Sequence, residues 1–129
     1  MYHTPHHLSS TCHTPHHLLL CIVGYEPSVT PGMVHHTLLY GCAEPYSDRT
    51  AWDCKNMGGT CKAESGKILY AWANNAEGLQ LPEGVGYRVG QDAGIRHLVV
   101  QLHFGNPNRS SDTSGLTVSL TKTRYCSVC

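Results

Sequence analysis

Leu116-Thr117-Val118-Ser119-Leu120-Thr121-Lys122 alternates without a break, with Leu116, Val118 and Leu120 on one side and Thr117, Ser119 and Thr121 on the other. A period of two is the mark of a strand with one face buried and one wet. Upstream, Arg96 to Phe104 is a strongly apolar run and reads as another strand. Val85 to Val89 is a short strand between glycines, and Lys67 to Ala73 reads as a strand because it has no good helix cap. Met33 to Tyr40, closed by Gly41, and Leu19 to Tyr25, bounded by Pro27 and Pro31, complete the set. Strands at this spacing with no strong helix predict an all-β chain, an antiparallel β-sandwich of jelly-roll-like character.

Between the second and third strands, residues 43–66 form a long loop with Gly58-Gly59 and two cysteines. A loop of that length stays ordered only through cross-links or function. The first 18 residues differ from the rest: His3-Thr4-Pro5-His6-His7-Leu8 recurs as His13-Thr14-Pro15-His16-His17-Leu18. Clustered histidines, prolines and low complexity argue against a packed element there. The repeat reads either as a weak surface metal-binding tail or as a disordered, aberrant terminus.

With 129 residues the chain is long enough for one domain with a real core. Nine acidic residues balance nine basic ones. No basic patch marks a nucleic-acid binder. The run Leu18 to Val23 is far short of the roughly 20 apolar residues of a membrane-spanning helix. It also lacks the flanks of a clear signal peptide. Seven cysteines favour an oxidising compartment, and an odd number leaves at least one without an intrachain partner.

Ten histidines are many for this length. His35 and His36 are adjacent in Val34-His35-His36-Thr37-Leu38-Leu39-Tyr40-Gly41-Cys42, and His103 lies in the Arg96 to Phe104 run. Three imidazoles suit copper or zinc, and the absence of Asp or Glu at ligand spacing leans towards copper. Neighbours in a regular strand point to opposite faces. His35 and His36 therefore reach one ion only if a twist, a bulge or a strand end redirects one of them. Without such a device each histidine is an ordinary surface or core residue.

Four ordered segments carry a family resemblance: His35 to Cys42, Ile68-Leu69-Tyr70-Ala71-Trp72-Ala73-Asn74-Asn75-Ala76, Leu81-Pro82-Glu83-Gly84-Val85-Gly86-Tyr87-Arg88-Val89-Gly90, and Val99-Val100-Gln101-Leu102-His103-Phe104-Gly105. Together they resemble the copper type II, ascorbate-dependent monooxygenases, and within them the peptidylglycine α-hydroxylating branch. The resemblance covers roughly residues 21–124 and implies a domain over 19–125. It implies that His35, His36 and His103 hold the electron-transfer copper of the first of two β-sandwich domains. Ascorbate would be the reductant, glycine-extended peptides the substrates, and the secretory pathway or extracellular space the compartment. Gln101 matches a glutamine discussed as part of the electron route; it reads equally as a polar residue on the second face of its strand. The resemblance also implies a Cys42–Cys61 bridge, and a partner for Cys54 on the first strand, for which Cys12 is the nearest candidate.

Departures from the family pattern are also present. Thr113 stands where the family has a cysteine, and Cys21 where it has none. Cys126 and Cys129 form a terminal Cys-x-x-Cys over 126–129 outside the pattern, either a redox pair or a chance tail. No second histidine pair with a downstream methionine follows, so the second domain of the family is expected to be absent and this chain alone to be inactive. The alternative function is a non-catalytic, secreted copper-binding module.

Overall fold

The computed structural model describes residues 18–129, apart from 56, 63–65, 91, 106–110, 125 and 128–129. The histidine repeat over 1–17, with Cys12, and the terminal Cys129 lie outside the described residues.

Alternating sequence becomes two antiparallel sheets. The strands are β1 (Leu19–Ser28), β2 (Val34–Cys42), β3 (Lys67–Ala73), β4 (Leu79–Gln80), β5 (Tyr87–Val89), β6 (His97–Phe104) and β7 (Gly115–Thr123). One sheet centres on β1, with β7 along one side and the short β4 and β5 sharing the other. The other has the order β3-β2-β6. The only helical turn among the described residues is a 3-10 turn at Met57–Gly59. The all-β sandwich read from the sequence is the observed architecture.

The core joins the two sheets. Ile22 and Tyr25 of β1 meet Leu39 of β2 and Leu69, Tyr70 and Trp72 of β3, with Leu116 and Val118 of the alternating strand packed at the margin. Tyr25 and Tyr70 stack at 4.7 Å between centroids, 7° from parallel. Burial, then the charge of Tyr87, push the Tyr25 phenol up to about 12. Its hydroxyl has no hydrogen-bond partner among the described residues. A buried hydroxyl without a partner costs about 1–3 kcal/mol. Tyr25→Phe is therefore expected to stabilise the domain by about 1 kcal/mol, read as a higher midpoint in urea.

Where observed strands differ from those expected, the cause is local. β1 runs three residues past Tyr25 and through Pro27, because beyond Tyr25 the β4 side is open and a missing N–H there leaves no ladder bond unmade. β4 has only two residues and no period to read. The turn after β3 is made by Asn74 and Asn75, both at positive φ (54° and 60°), a conformation asparagine tolerates better than most side chains.

A second, smaller cluster lies on the outer face of the β3-β2-β6 sheet. Tyr40, Cys42 and Cys61 form it, with Leu38 and Val99 packed against them. A Cys42–Cys61 disulfide pins the loop after β2 over this face. Inside the loop, the Trp52 indole N–H donates to the Gly59 carbonyl at 2.7 Å, and the Lys55 amide donates to Asp53 Oδ1 at 2.9 Å. Gly59 is required there, since a Cβ would collide with the Cys54 backbone.

Candidate metal centre

The pairing of β2 with β6 explains how adjacent histidines share a face. Val34 pairs with Phe104, but His36 pairs with His103, so two steps on β2 match one on β6. His35 is the extra residue of a β-bulge, which re-aims a side chain that a regular strand would send through the sheet. From His36 the ladder is regular: Leu38 faces Gln101 and Tyr40 faces Val99. His36, Gln101 and His103 thereby share one face, and the bulge brings His35 to their edge.

His35, His36 and His103 each offer a ring nitrogen within 4.8 Å of the others. The His35 and His36 Nδ1 atoms are 3.3 Å apart. Ring centroids lie at 5.4, 5.8 and 4.5 Å for the pairs His35–His36, His35–His103 and His36–His103, at steep angles of 61°, 76° and 72°. Two nitrogens bound at about 2.0–2.1 Å to one tetrahedral ion are about 3.3–3.4 Å apart. The Nδ1 pair already has that spacing. The donor set therefore fits a small ion that accepts imidazole, copper or zinc. His36 is half-buried and the other two are exposed. Burial first, then the His103 and His35 charges, lower the His36 pKa below the ordinary imidazole value. A neutral ring with a free lone pair is the form that binds metal.

Gln101 lies two residues before His103 on the same face and is buried. Its Nε2 donates to Cys54 Sγ at 3.2 Å. Cys54, Asp53, Lys55 and Gly58 of the pinned loop, with His36, Gln101, His103 and Phe104, line a cleft of about 720 Å³. The Tyr40 hydroxyl is buried under the same loop without a partner among the described residues; burial, then Cys54, raise its pKa. The Cys54–Gln101 contact has no counterpart in the sequence reading, since 47 positions separate the two. His97 stands apart from the cluster, with Nδ1 3.1 Å from the Ala43 carbonyl.

The cysteines resolve in part. Cys42 and Cys61 are joined. Cys54 forms no disulfide with a described cysteine. Cys126, expected either to pair with Cys129 or to be a chance tail, is instead bonded to Cys21 of β1. The oddly placed Cys21 and the oddly placed Cys126 are thus one feature.

Three converging imidazoles on the outer face of one sheet of a β-sandwich make a candidate metal centre. The family model described as "Copper type II ascorbate-dependent monooxygenase, N-terminal domain" matches residues 2–111. The chain belongs to that family. It is 43% identical over 104 residues to peptidyl-glycine alpha-amidating monooxygenase A of Xenopus laevis, a match covering 78% of this chain and 11% of the relative. It is 40% identical over 105 residues to the peptidylglycine alpha-amidating monooxygenase of Rattus norvegicus, covering 78% and 10%. Dopamine beta-hydroxylase of Canis lupus familiaris is 28% identical over 114 residues, covering 78% and 17%. The chain spans about a tenth of the length of the amidating relatives it matches.

Proposed function

We propose that this chain is the first copper domain of a peptidylglycine α-hydroxylating monooxygenase, and that His35, His36 and His103 hold one copper that passes electrons. The observation that carries the reading is the convergence of three imidazoles from β2 and β6, made possible by the bulge at His35. Copper supplies one-electron cycling between its two common oxidation states. The chain's own residues hold the ligand geometry and control access. His36 is kept neutral, Gln101 is fixed beside His103 by its bond to Cys54, and the cleft leaves the centre open to solvent. The family description supports ascorbate as reductant, and the names of the amidating relatives support peptides ending in glycine as substrates. Two disulfides support an oxidising, secretory setting. No helix among the described residues is long and apolar enough to cross a membrane.

The testing experiment is a copper titration of this chain and of the same chain without residues 1–18. One tight equivalent is expected in both, since the imidazole group at 35, 36 and 103 is the one metal-ligating cluster among the described residues. Extra equivalents that disappear with the tail would transfer the metal site to the histidine repeat. Because no second cluster stands among the described residues to take up oxygen, the purified chain is expected not to hydroxylate a glycine-extended peptide. Turnover with copper and ascorbate would overturn that expectation.

Acid should strip the metal. The lowered His36 pKa means that the neutral ring persists below the ordinary histidine range, and protonation is resisted until the pH falls through the folded value. Metal-free stability tied to His36 is fully present above the unfolded-state value, about 6.5, and is lost as pH falls through the folded one. Copper is expected to be retained above that window and released below it, as followed by the copper(II) paramagnetic resonance signal across a pH series. A signal unchanged well into acid would argue for ligands other than imidazole.

A further inference from the structure

Some side chains that point between the sheets are exposed where a filled sandwich would bury them. Val100 of β6 pairs with Leu39, and Leu120 of β7 pairs with Ile22. Residues directly opposite in an antiparallel ladder stand on the same face. Leu39 and Ile22 are fully buried in the core, so Val100 and Leu120 also point inward. Yet Val100 is 42% exposed and Leu120 51%. Leu98 and Phe104, on the same row as Val100, are exposed as well. β3 leads through residues 74–78 directly into β4, which puts those two edges on one flank. β6 and β7 end the two sheets on the opposite flank, and there, among the described residues, the sandwich gapes.

β7 runs along that flank with one edge on β1 and the other edge unpaired among the described strands. The bulge in the β1–β7 ladder lies on β1, at Val23, so β7 itself is regular. Thr117-Val118-Ser119-Leu120-Thr121 carries no charge and no proline. Exposed edges are ordinarily guarded by charge, proline or a bulge. Beyond β7, Cys126 and Ser127 turn away from this edge. Cys126 is bonded to Cys21 of β1, and the Ser127 amide donates to the Gly84 carbonyl at 3.1 Å on the β5 side.

We propose that this flank is an interface between two copies of the chain, built by antiparallel pairing of β7 with β7 of the partner about a two-fold axis at Ser119. That register sets Val118 against the partner's Leu120 on the inner face and Thr117 against the partner's Thr121 on the outer. Apolar meets apolar and hydroxyl meets hydroxyl, as a self-complementary patch requires. Leu116 falls opposite the partner's Lys122, whose aliphatic stem lies along it while the ammonium reaches water. Leu98, Val100 and Phe104 of both copies close over the gap. No like charges face each other in this register. Nine acids against nine bases leave no net charge to hold two copies apart. Strands of eight and nine residues, rising about 3.3 Å per residue in sheets about 10 Å apart, give flanks that together bury on the order of 1,100 Å². That just clears the roughly 1,000 Å² of a specific interface, and it implies a reversible dimer of micromolar affinity rather than an obligate one. The three histidines lie on the outer face of the other sheet, so the reading does not rest on bound metal.

The test is sedimentation velocity of the full chain, metal-free, with free thiols alkylated and disulfides intact, from about 1 to about 200 µM. The parent should pass reversibly from monomer to dimer across that range. Ser119→Lys puts two lysines face to face on the axis and should weaken association at least about tenfold, as should Ser119→Glu. An equimolar mixture of those two variants should restore the dimer, which misfolded chains could not do. Leu79→Lys, at an exposed leucine of β4 on the opposite flank, should associate like the parent. A parent that stays monomeric at the highest concentration would overturn the proposal. So would a dimer indifferent to Ser119→Lys, a mixture that remains monomeric, or equal weakening by Leu79→Lys. A monomer that dimerises only once residues 1–17 are removed would also overturn it, by assigning the flank to the chain's own N-terminal segment.

Discussion

His103→Ala is expected to abolish tight copper binding, with a loss of at least about 100-fold in affinity. In the proposed site His103 is the ligand that β6 would contribute, and its ring lies 4.5 Å from that of His36. Without it, two adjacent imidazoles on β2 remain, and no other described side chain belongs to the cluster. His103 is exposed, so the substitution should leave stability within about 0.5 kcal/mol of the parent and isolate the metal effect. His97→Ala is the matched control: it sits on the same strand, but its ring faces the Ala43 carbonyl rather than the cluster. Competition against a coloured copper chelator reads both variants. Unchanged affinity in His103→Ala would remove the metal reading altogether.

Removing the Cys42–Cys61 bridge, as Cys42→Ser with Cys61→Ser, is expected to cost about 3 kcal/mol for a 19-residue separation. The cost should exceed that of most single surface changes because both cysteines are also core residues beneath Tyr40. The effect should also be local. The freed loop carries Asp53, Cys54 and Lys55, which wall the cleft beside His36 and His103. Chemical denaturation should show the loss of stability, and hydrogen exchange should show the Trp52–Gly59 region opening well before the β1–β7 ladder. A double variant as stable as the parent would mean that the small outer cluster holds the loop without its cross-link.

Much of this was legible in the sequence, for identifiable reasons. Leu116 to Lys122 announces its strand because one face is apolar and the other wet. Lys67 to Ala73 was bounded correctly because polar and turn residues flank it on both sides. The side-by-side histidines also announced a requirement, since strand alternation forbids both from serving one ion without a redirected backbone. What the sequence could not give was the register. That His36 rather than His35 sits opposite His103 depends on how β2 and β6 slide against each other, which many distant contacts decide together. The Cys54–Gln101 contact was illegible for the same reason, since a loop residue carries no period. The Cys21–Cys126 bond joins two cysteines that each looked out of place alone, and an odd number of thiols leaves many pairings open.

The irregular step at His35 has a consequence for anyone who would transplant this centre. The donor triad is written in a count of backbone units as much as in the identity of its side chains. Deleting His35, the one residue between Val34 and His36, would leave a histidine opposite His103 yet remove the kink and the third ring together. A host sandwich given the same three imidazoles on a flawless ladder would display a pair and a stray, so the blueprint to copy is the extra unit itself.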